Sequence, residues 1–203
     1  MKFILAKKLN MSSVFDEKGK IIPVTILEAG PVKITQIKNK DKDSYEAVQL
    51  GFGTKKRITK PLLGHLKDNG KLRWLREFRI KDSKDLENYK VGDEIKVDVF
   101  KEGELVNISG ISRGKGFQGV VKRHGFHGTH TTHGNKDQLR TSGSIGATTP
   151  QRVIKGKKMA GRTGGERVSL RKVKIIKIDP DKNLIYLKGA VPGKRGTLIE
   201  IFN

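Results

Sequence analysis

The sequence predicts a mainly β protein: a small closed β-barrel that carries a short helical insert and a long, basic, extended arm. Three observations lead there. Short runs in which apolar and polar residues alternate at period 2 recur along the chain, separated by turn signals. Strand runs stand on both sides of residues 113–167, so that stretch leaves a sheet and returns to it. Many short antiparallel strands joined by tight turns favour a closed barrel, because closure removes free edges that would otherwise aggregate.

Residues 1–60 read as barrel strands. Val24 and Ile26, then Val32 and Ile34, alternate with polar neighbours on either side of Gly30-Pro31, which predicts a hairpin with one buried face. Tyr45 to Phe52 continues the pattern, and Lys38 to Ser44 is a charged, solvated loop. Residues 61–90 change to short helical pieces: Pro61 suits a first helical position, Leu62, Leu63 and Leu66 form an apolar stripe, and Asn69-Gly70 stops it. Trp74, the single tryptophan, is expected to pack this insert onto the sheet. Residues 91–112 return to barrel strands as a second hairpin, with Ile95, Val97 and Val99 set against Val106 and Ile108 through a Glu102-Gly103 turn. Residues 168–203 complete the barrel: Val168 to Ile178 and Leu184 to Val191, joined at Asp179-Pro180-Asp181, then Leu198 to Phe202.

The arm between them has the composition of a polyanion ligand. Its cations are Arg113, Lys115, Lys122, Arg123, Lys136, Arg140, Arg152, Lys155, Lys157, Lys158, Arg162 and Arg167, set against two acids, Asp137 and Glu166. Its few apolar residues follow neither period, and glycines recur from Gly114 to Gly165, so it cannot bury enough surface to offset its ordering entropy. A partner must order it, and nucleic acid fits best, because each ordered Lys or Arg can neutralise a phosphate and release a counterion. The whole chain, 203 residues with a net charge of +22, agrees. No run approaches the ~20 apolar residues of a membrane span, and the basic stretch is glycine-rich where a surface-binding helix would be amphipathic. Phe3 to Ala6 is cut off by Lys7 and Lys8 well short of a signal-peptide core. With no cysteine, disulfides and thiolate metal sites are excluded, and a cytoplasmic location is expected.

Two motifs in the arm invite other readings. Gly114-Lys115-Gly116-Phe117-Gln118-Gly119 matches a dinucleotide fingerprint, but its continuation from Val120 to Gly128 offers no helix long enough to carry a dipole to a pyrophosphate. His124, His127, His130 and His133 recur every third residue, yet interleaved glycines and threonines argue against a helix, and no carboxylate or cysteine completes a shell. They read as donors to phosphate and ribose. No cofactor, metal or small-molecule substrate is expected; a metal- or nucleotide-dependent enzyme and a free RNA chaperone are the alternatives. Phe117 and Phe126 are the arm's only aromatics, so binding should be dominated by phosphate and shape.

The run Gly110-Ile-Ser-Arg-Gly-Lys-Gly-Phe-Gln-Gly-Val-Val-Lys-Arg-His-Gly-Phe126, then Thr132-His-Gly-Asn135, Gly143-Ser-Ile-Gly146, Lys155-Gly-Lys-Lys-Met-Ala-Gly161 and Gly189-Ala-Val-Pro-Gly193, closely resembles the family of the universal large-subunit ribosomal protein number three, in its bacterial form. The resemblance covers nearly the whole chain, including Lys8-Leu-Asn-Met-Ser-Ser-Val-Phe15 and Lys60-Pro-Leu-Leu-Gly-His65. It implies a translation-protein-type β-barrel that binds 23S-type rRNA near its 3′ end beside neighbouring large-subunit proteins, supports early subunit assembly, and extends an arm toward the peptidyl transferase centre. The expected rRNA contacts are Arg113, Lys115, Lys122, Arg123, His124, His127, His130, His133, Arg140, Arg152, Lys155, Lys157, Lys158, Arg162 and Arg167. The expected tip is Ser142, Gly143, Ser144, Ile145, Gly146, Ala147, Thr148, Thr149 and Pro150. The sequence departs from the family pattern at Asn10, Leu139 and Gln151, and Ala147 stands where some members carry a methylated glutamine.

Overall fold

A computed structural model of the chain describes residues 2–80, 86 and 88–203. Two units emerge from the packing: Met1–Ile111 with Arg167–Asn203, and Ser112–Glu166.

The first unit is built on a closed barrel of β1 (Phe3–Phe15), β12 (Leu198–Phe202), β7 (Leu105–Ile111), β10 (Arg167–Asp179), β11 (Leu184–Lys188) and β2 (Ile21–Ala29), adjacent in that order and antiparallel where they pair. Two long strands make closure possible by serving two neighbours each. β1 gives Phe3–Lys7 to β12 and runs along β2 from Ala6 to Phe15, with a register shift between Lys8 and Asn10. β10 gives Arg167–Lys174 to β7 and Ile175–Asp179 to β11, with shifts between Leu170 and Val173 and between Ile175 and Lys177. Such bulges bend a strand and increase its twist, which lets a sheet curl onto itself. Ile4, Leu27, Ile108, Ile175, Ile185, Leu187, Ile199 and Ile201 are buried in this unit's core, each side chain contributing about 1.5–3 kcal/mol by leaving water.

A second sheet packs in the same unit, in the order β5 (Leu72–Arg79), β4 (Ala47–Thr54), β3 (Val32–Lys38) and β6 (Glu94–Ile95). The two sheets share one hydrophobic cluster, in which Phe3 of β1 stacks on Phe78 of β5 at 4.9 Å between ring centroids. Ala47–Phe52 of β4 is buried without a break, as expected of a strand covered on both faces. Two short helices, α1 (Lys40–Asp43) and α2 (Lys60–Leu66), connect its strands, and α2 is held by buried Leu66 and by a 2.9 Å hydrogen bond between His65 Nε2 and Gln49 Oε1 of β4.

Several sequence expectations are corrected. Val24–Ile34 is not a hairpin: β2 pairs with β1 and β11, while β3, beyond Gly30-Pro31, pairs with β4 and β6. Residues 1–60 are therefore not all barrel, because β3 and β4 belong to the second sheet. Ile95 to Val99 does not pair with Val106 and Ile108 either; Ile95 ends a two-residue strand on the edge of β3, Val97–Val99 is a turn of 3-10 helix, and β7 lies between β12 and β10. The insert at 61–90 is only partly helical. After α2 and a 3-10 turn at Lys67–Asn69, Leu72–Arg79 is a full strand; residues 81–85 and 87 of that insert lie outside the described residues. Lys38 to Ser44, read as loop, holds the single turn α1. Trp74 does pack against the core, stacked on Phe52 of β4 at 5.8 Å, with the Arg73 guanidinium 4.4 Å from its ring centroid.

Candidate nucleic-acid interface

Ser112–Glu166 holds its shape almost without a core. Val120 is the one large hydrophobic residue buried in it, while Phe117, Leu139, Ile145, Val153, Ile154 and Met159 are exposed. From Gly143 through Ala160 every residue is exposed.

Hydrogen bonds supply the local order. At the stem, Ser112 N–H donates to Glu166 O at 2.8 Å, Lys115 N–H to Thr163 O at 2.9 Å and Thr163 N–H to Gly116 O at 3.0 Å. Gly164 sits here at φ +73°, and a Cβ on it would stand 2.2 Å from Arg113 O, so no side chain fits. The ribbon continues as β8 (Phe117–Gln118) paired with β9 (Gly161–Arg162). A five-residue helix, α3 (Val120–His124), comes next and ends at Gly125, whose N–H bonds Val121 O. The glycine-rich run therefore opens barely more than one helical turn.

The predicted site residues divide into those the fold uses and those it leaves free. Arg123 Nη1 donates to Met159 O at 2.8 Å, and His124 Nε2 lies 3.0 Å from the same oxygen. A carbonyl only accepts, so that nitrogen carries the proton. These two residues tie α3 to the returning limb. Arg167 belongs to the barrel unit: it pairs with Ile111 at the start of β10, and its guanidinium bonds Glu200, which also takes Arg76 Nε at 3.2 Å. Lys122, His127, His130, His133, Arg140, Arg152, Lys155, Lys157, Lys158 and Arg162 are exposed, as are Arg113 and Lys115.

The histidines do not converge. Among the described residues no group of three or more His, Cys, Asp or Glu is placed to hold a metal. His130 and His133 belong to a loop closed on itself: Thr129 N–H donates to Leu139 O at 3.2 Å, Thr129 Oγ1 to Gln138 O, and Asn135 Nδ2 to Thr129 Oγ1 at 2.6 Å and to His130 O. His124 and His127 instead border an open cleft of about 470 Å³ together with Thr141, Ser142, Gly143 and Lys158. Imidazole, hydroxyl and ammonium donors around such a hollow suit an anionic or ribose oxygen. At the predicted tip, Ser144 Oγ donates to Gly146 O at 2.8 Å, and Gly143 to Ala147 with Arg152 and Val153 border a shallower hollow.

Electrostatics separates the two units. Every ion pair among the described residues lies in the barrel unit: Lys2–Glu104, Lys7–Glu28, Lys33–Glu94, Lys38–Glu77, Arg76–Glu200 and Arg167–Glu200. There, burial opposes the ionisation of Glu77, but hydrogen bonds from Tyr45, Lys38 and Gln49 outweigh it and hold its carboxyl below the ordinary range. Burial likewise pushes the Lys8 ammonium down, while its Nζ donates to Val191 O at 2.7 Å and Gly193 O at 3.1 Å. Those bonds pin the Gly189–Gly193 loop beside β1. The cations of Ser112–Glu166 have no carboxylate partner of this kind among the described residues.

The family description "Ribosomal protein L3" matches residues 79–183. The chain is 50% identical to the large ribosomal subunit protein uL3 of Herpetosiphon aurantiacus over 202 residues, covering 98% of this chain and 94% of that protein. It belongs to the ribosomal protein L3 family. Members in Carboxydothermus hydrogenoformans and Prochlorococcus marinus are 48% and 51% identical, over 98% of this chain and 96% and 91% of theirs. For a member of this family, sequence reasoning found the cations by composition. It missed how exposed Phe117 is and which cations the fold consumes, because both depend on pairings between β8 and β9 and between α3 and Met159.

Proposed function

We propose that this chain is a structural, rRNA-binding constituent of the large ribosomal subunit, with Ser112–Glu166 as its principal RNA-binding segment. The observation that carries the reading is the contrast between the units: one has a core and holds every ion pair found among the described residues, while the other buries a single large hydrophobic residue and has no ion pair among them. A polyanion satisfies both deficits of the second unit, neutralising its charge and covering its exposed apolar side chains. The uL3 names of the relatives support the same assignment. The finer reading, by family resemblance, is binding of 23S-type rRNA near its 3′ end, a role in early subunit assembly beside neighbouring proteins in the cytoplasm, and Ser142–Pro150 as the tip nearest the peptidyl transferase centre.

The dense basic limb, Arg152 to Arg162, anchors the segment; the uncharged tip inserts. The test is sedimentation of the full chain with large subunits through a high-salt wash, and then peptidyl transfer on the purified ribosomes. A bulky change at Ser144 or Gly146 should spare incorporation and alter transfer. If the chain washes off, or if tip changes block assembly while limb changes do not, the reading fails.

A further inference from the structure

Phe117 is the most exposed large hydrophobic residue among those described, at 75% of its surface. Nothing about folding asks for that. A phenylalanine left in water forgoes the stabilisation that burial would give it, and no described ring or guanidinium stacks on it, in contrast to Phe3 and Trp74.

Its setting is rigid and cationic. Phe117 stands directly opposite Arg162 in the β8–β9 register, and residues directly opposite in an antiparallel pair project to the same face, about 4.5–5.5 Å apart at Cβ. The ribbon is pinned on the stem side by the Lys115–Thr163 and Thr163–Gly116 backbone bonds, and Gln118 Nε2 donates to Lys115 O at 2.6 Å. Lys115 and Arg113, both exposed, precede the ring in sequence, and neither β8 nor β9 contains an acid. An apolar ring held beside unpaired cations on a short fixed ribbon matches one occupant: a nucleotide whose base lies on the ring while its flanking phosphates meet Lys115 and Arg162. An apolar protein surface would leave those cations without partners.

We propose that Phe117 is a stacking platform for a single unpaired RNA base, with Lys115 and Arg162 bonded to the adjacent phosphates. This rests on the rRNA-binding reading and adds a contact to a base to an interface otherwise built for phosphate and shape. Stacking of a base on an aromatic side chain is sequence-tolerant and is lost when the ring is replaced by an aliphatic group.

The test uses the full chain and its F117L and F117W variants, titrated with a short single-stranded oligoadenylate and with an RNA duplex of equal length. F117L keeps an apolar side chain at a surface position, so the fold is retained. The expected result is that F117L binds oligoadenylate about tenfold more weakly, that its duplex affinity and salt slope are unchanged, and that F117W restores the loss. Equal weakening on both RNAs would overturn the proposal, because the ribbon and not the ring would then be at fault. So would oligoadenylate binding by F117L that matches the unaltered chain in the same salt-dependent manner; if F117D then failed to enter subunits, the ring would be assigned to an apolar protein contact. Failure of the unaltered chain to bind either RNA would overturn this proposal together with the rRNA-binding reading beneath it.

Discussion

Replacing Lys155, Lys157 and Lys158 with alanine isolates the electrostatic anchor. All three side chains lie in the continuously exposed stretch from Gly143 to Ala160, and none carries an ion pair among the described residues. Surface substitutions of this kind stay within about 0.5 kcal/mol in stability, so any binding change reports the interface. If each lysine neutralises one phosphate, each contributes about 0.7–0.9 to the slope of log affinity against log salt. Removing three lowers the slope by about 2–3. Extrapolated from a common affinity at 1 M salt, the variant then binds about 100-fold more weakly at 0.15 M. The assay is the affinity of the full chain for an rRNA fragment across a salt series, with the thermal midpoint as the folding control. An unchanged slope would refute the phosphate assignment even if affinity fell, because the loss would then come from something other than counterion release.

Three further outcomes are expected. Limited proteolysis of the free chain with trypsin should cut first between Arg152 and Lys158, where no residue is buried, while the barrel strands survive; first cuts in β10 or at Lys7 or Lys8 of β1 would contradict the division into units. Gly128→Ala should open the histidine loop, since Gly128 sits at φ +74° and an added Cβ would stand 2.4 Å from Leu139 O; the left-handed conformation alone costs about 1–2 kcal/mol, and the Thr129 amide, which donates to Leu139 O, should exchange faster by about tenfold or more. Because the folded-state pKa of Glu77 is lowered from 4.5, its contribution to stability is complete above that value and is lost as pH falls through the lower, folded one; Glu77→Gln should therefore lower stability near neutral pH, flatten the acid side of the stability profile and approach the unaltered chain at low pH, and an unaltered acid limb would refute the coupling.

How much of the fold was legible depends on what alternation reports. Period 2 tells which residues share a face, and Val24, Val32, Ile34, Val106 and Ile108 are indeed buried, whereas in the 3-10 turn Val97–Val99 only Val97 is buried and Val99 is exposed. It does not tell which strand lies alongside. Both mistaken hairpins joined neighbours in sequence, whereas the barrel pairs β1 with β12 and β7 with β10, partners separated by most of the chain or by the whole of Ser112–Glu166. The strand missed at Leu72–Arg79 carried its signal in Leu72, Trp74 and Phe78, at alternate positions but diluted by Arg73, Arg76, Glu77 and Arg79. Its charged residues have uses that the sequence alone does not show: Glu77 takes Lys38 and Tyr45, and Arg76 reaches Glu200 on β12.

The candidate interface was legible as a composition and illegible as a geometry, and one physical reason accounts for both. A count of cations against acids predicts a polyanion partner whatever the chain's path, because the excess charge must be neutralised somewhere. Which cations remain available is decided by short-range pairing. Arg123 and His124 are spent on Met159 O, and Arg167 on Glu200, three of the fifteen predicted contacts drawn into holding the chain together. The frame rests on backbone bonds that close the stem at Ser112 and Glu166 and form the ribbon of β8 and β9, and on Arg123 and His124, which tie the returning limb to α3. Between those fixed points the exposed lysines make no ion pair among the described residues, which leaves them for the proposed phosphate contacts. On the proposed reading, a segment with so small a core gains orientation from a few backbone carbonyls and affinity from charge, and substitutions at the two sets of residues should separate along that line. Loss of Arg123 should misplace the limb without changing the salt slope by more than its own share, whereas loss of the lysines changes the slope and leaves the frame in place.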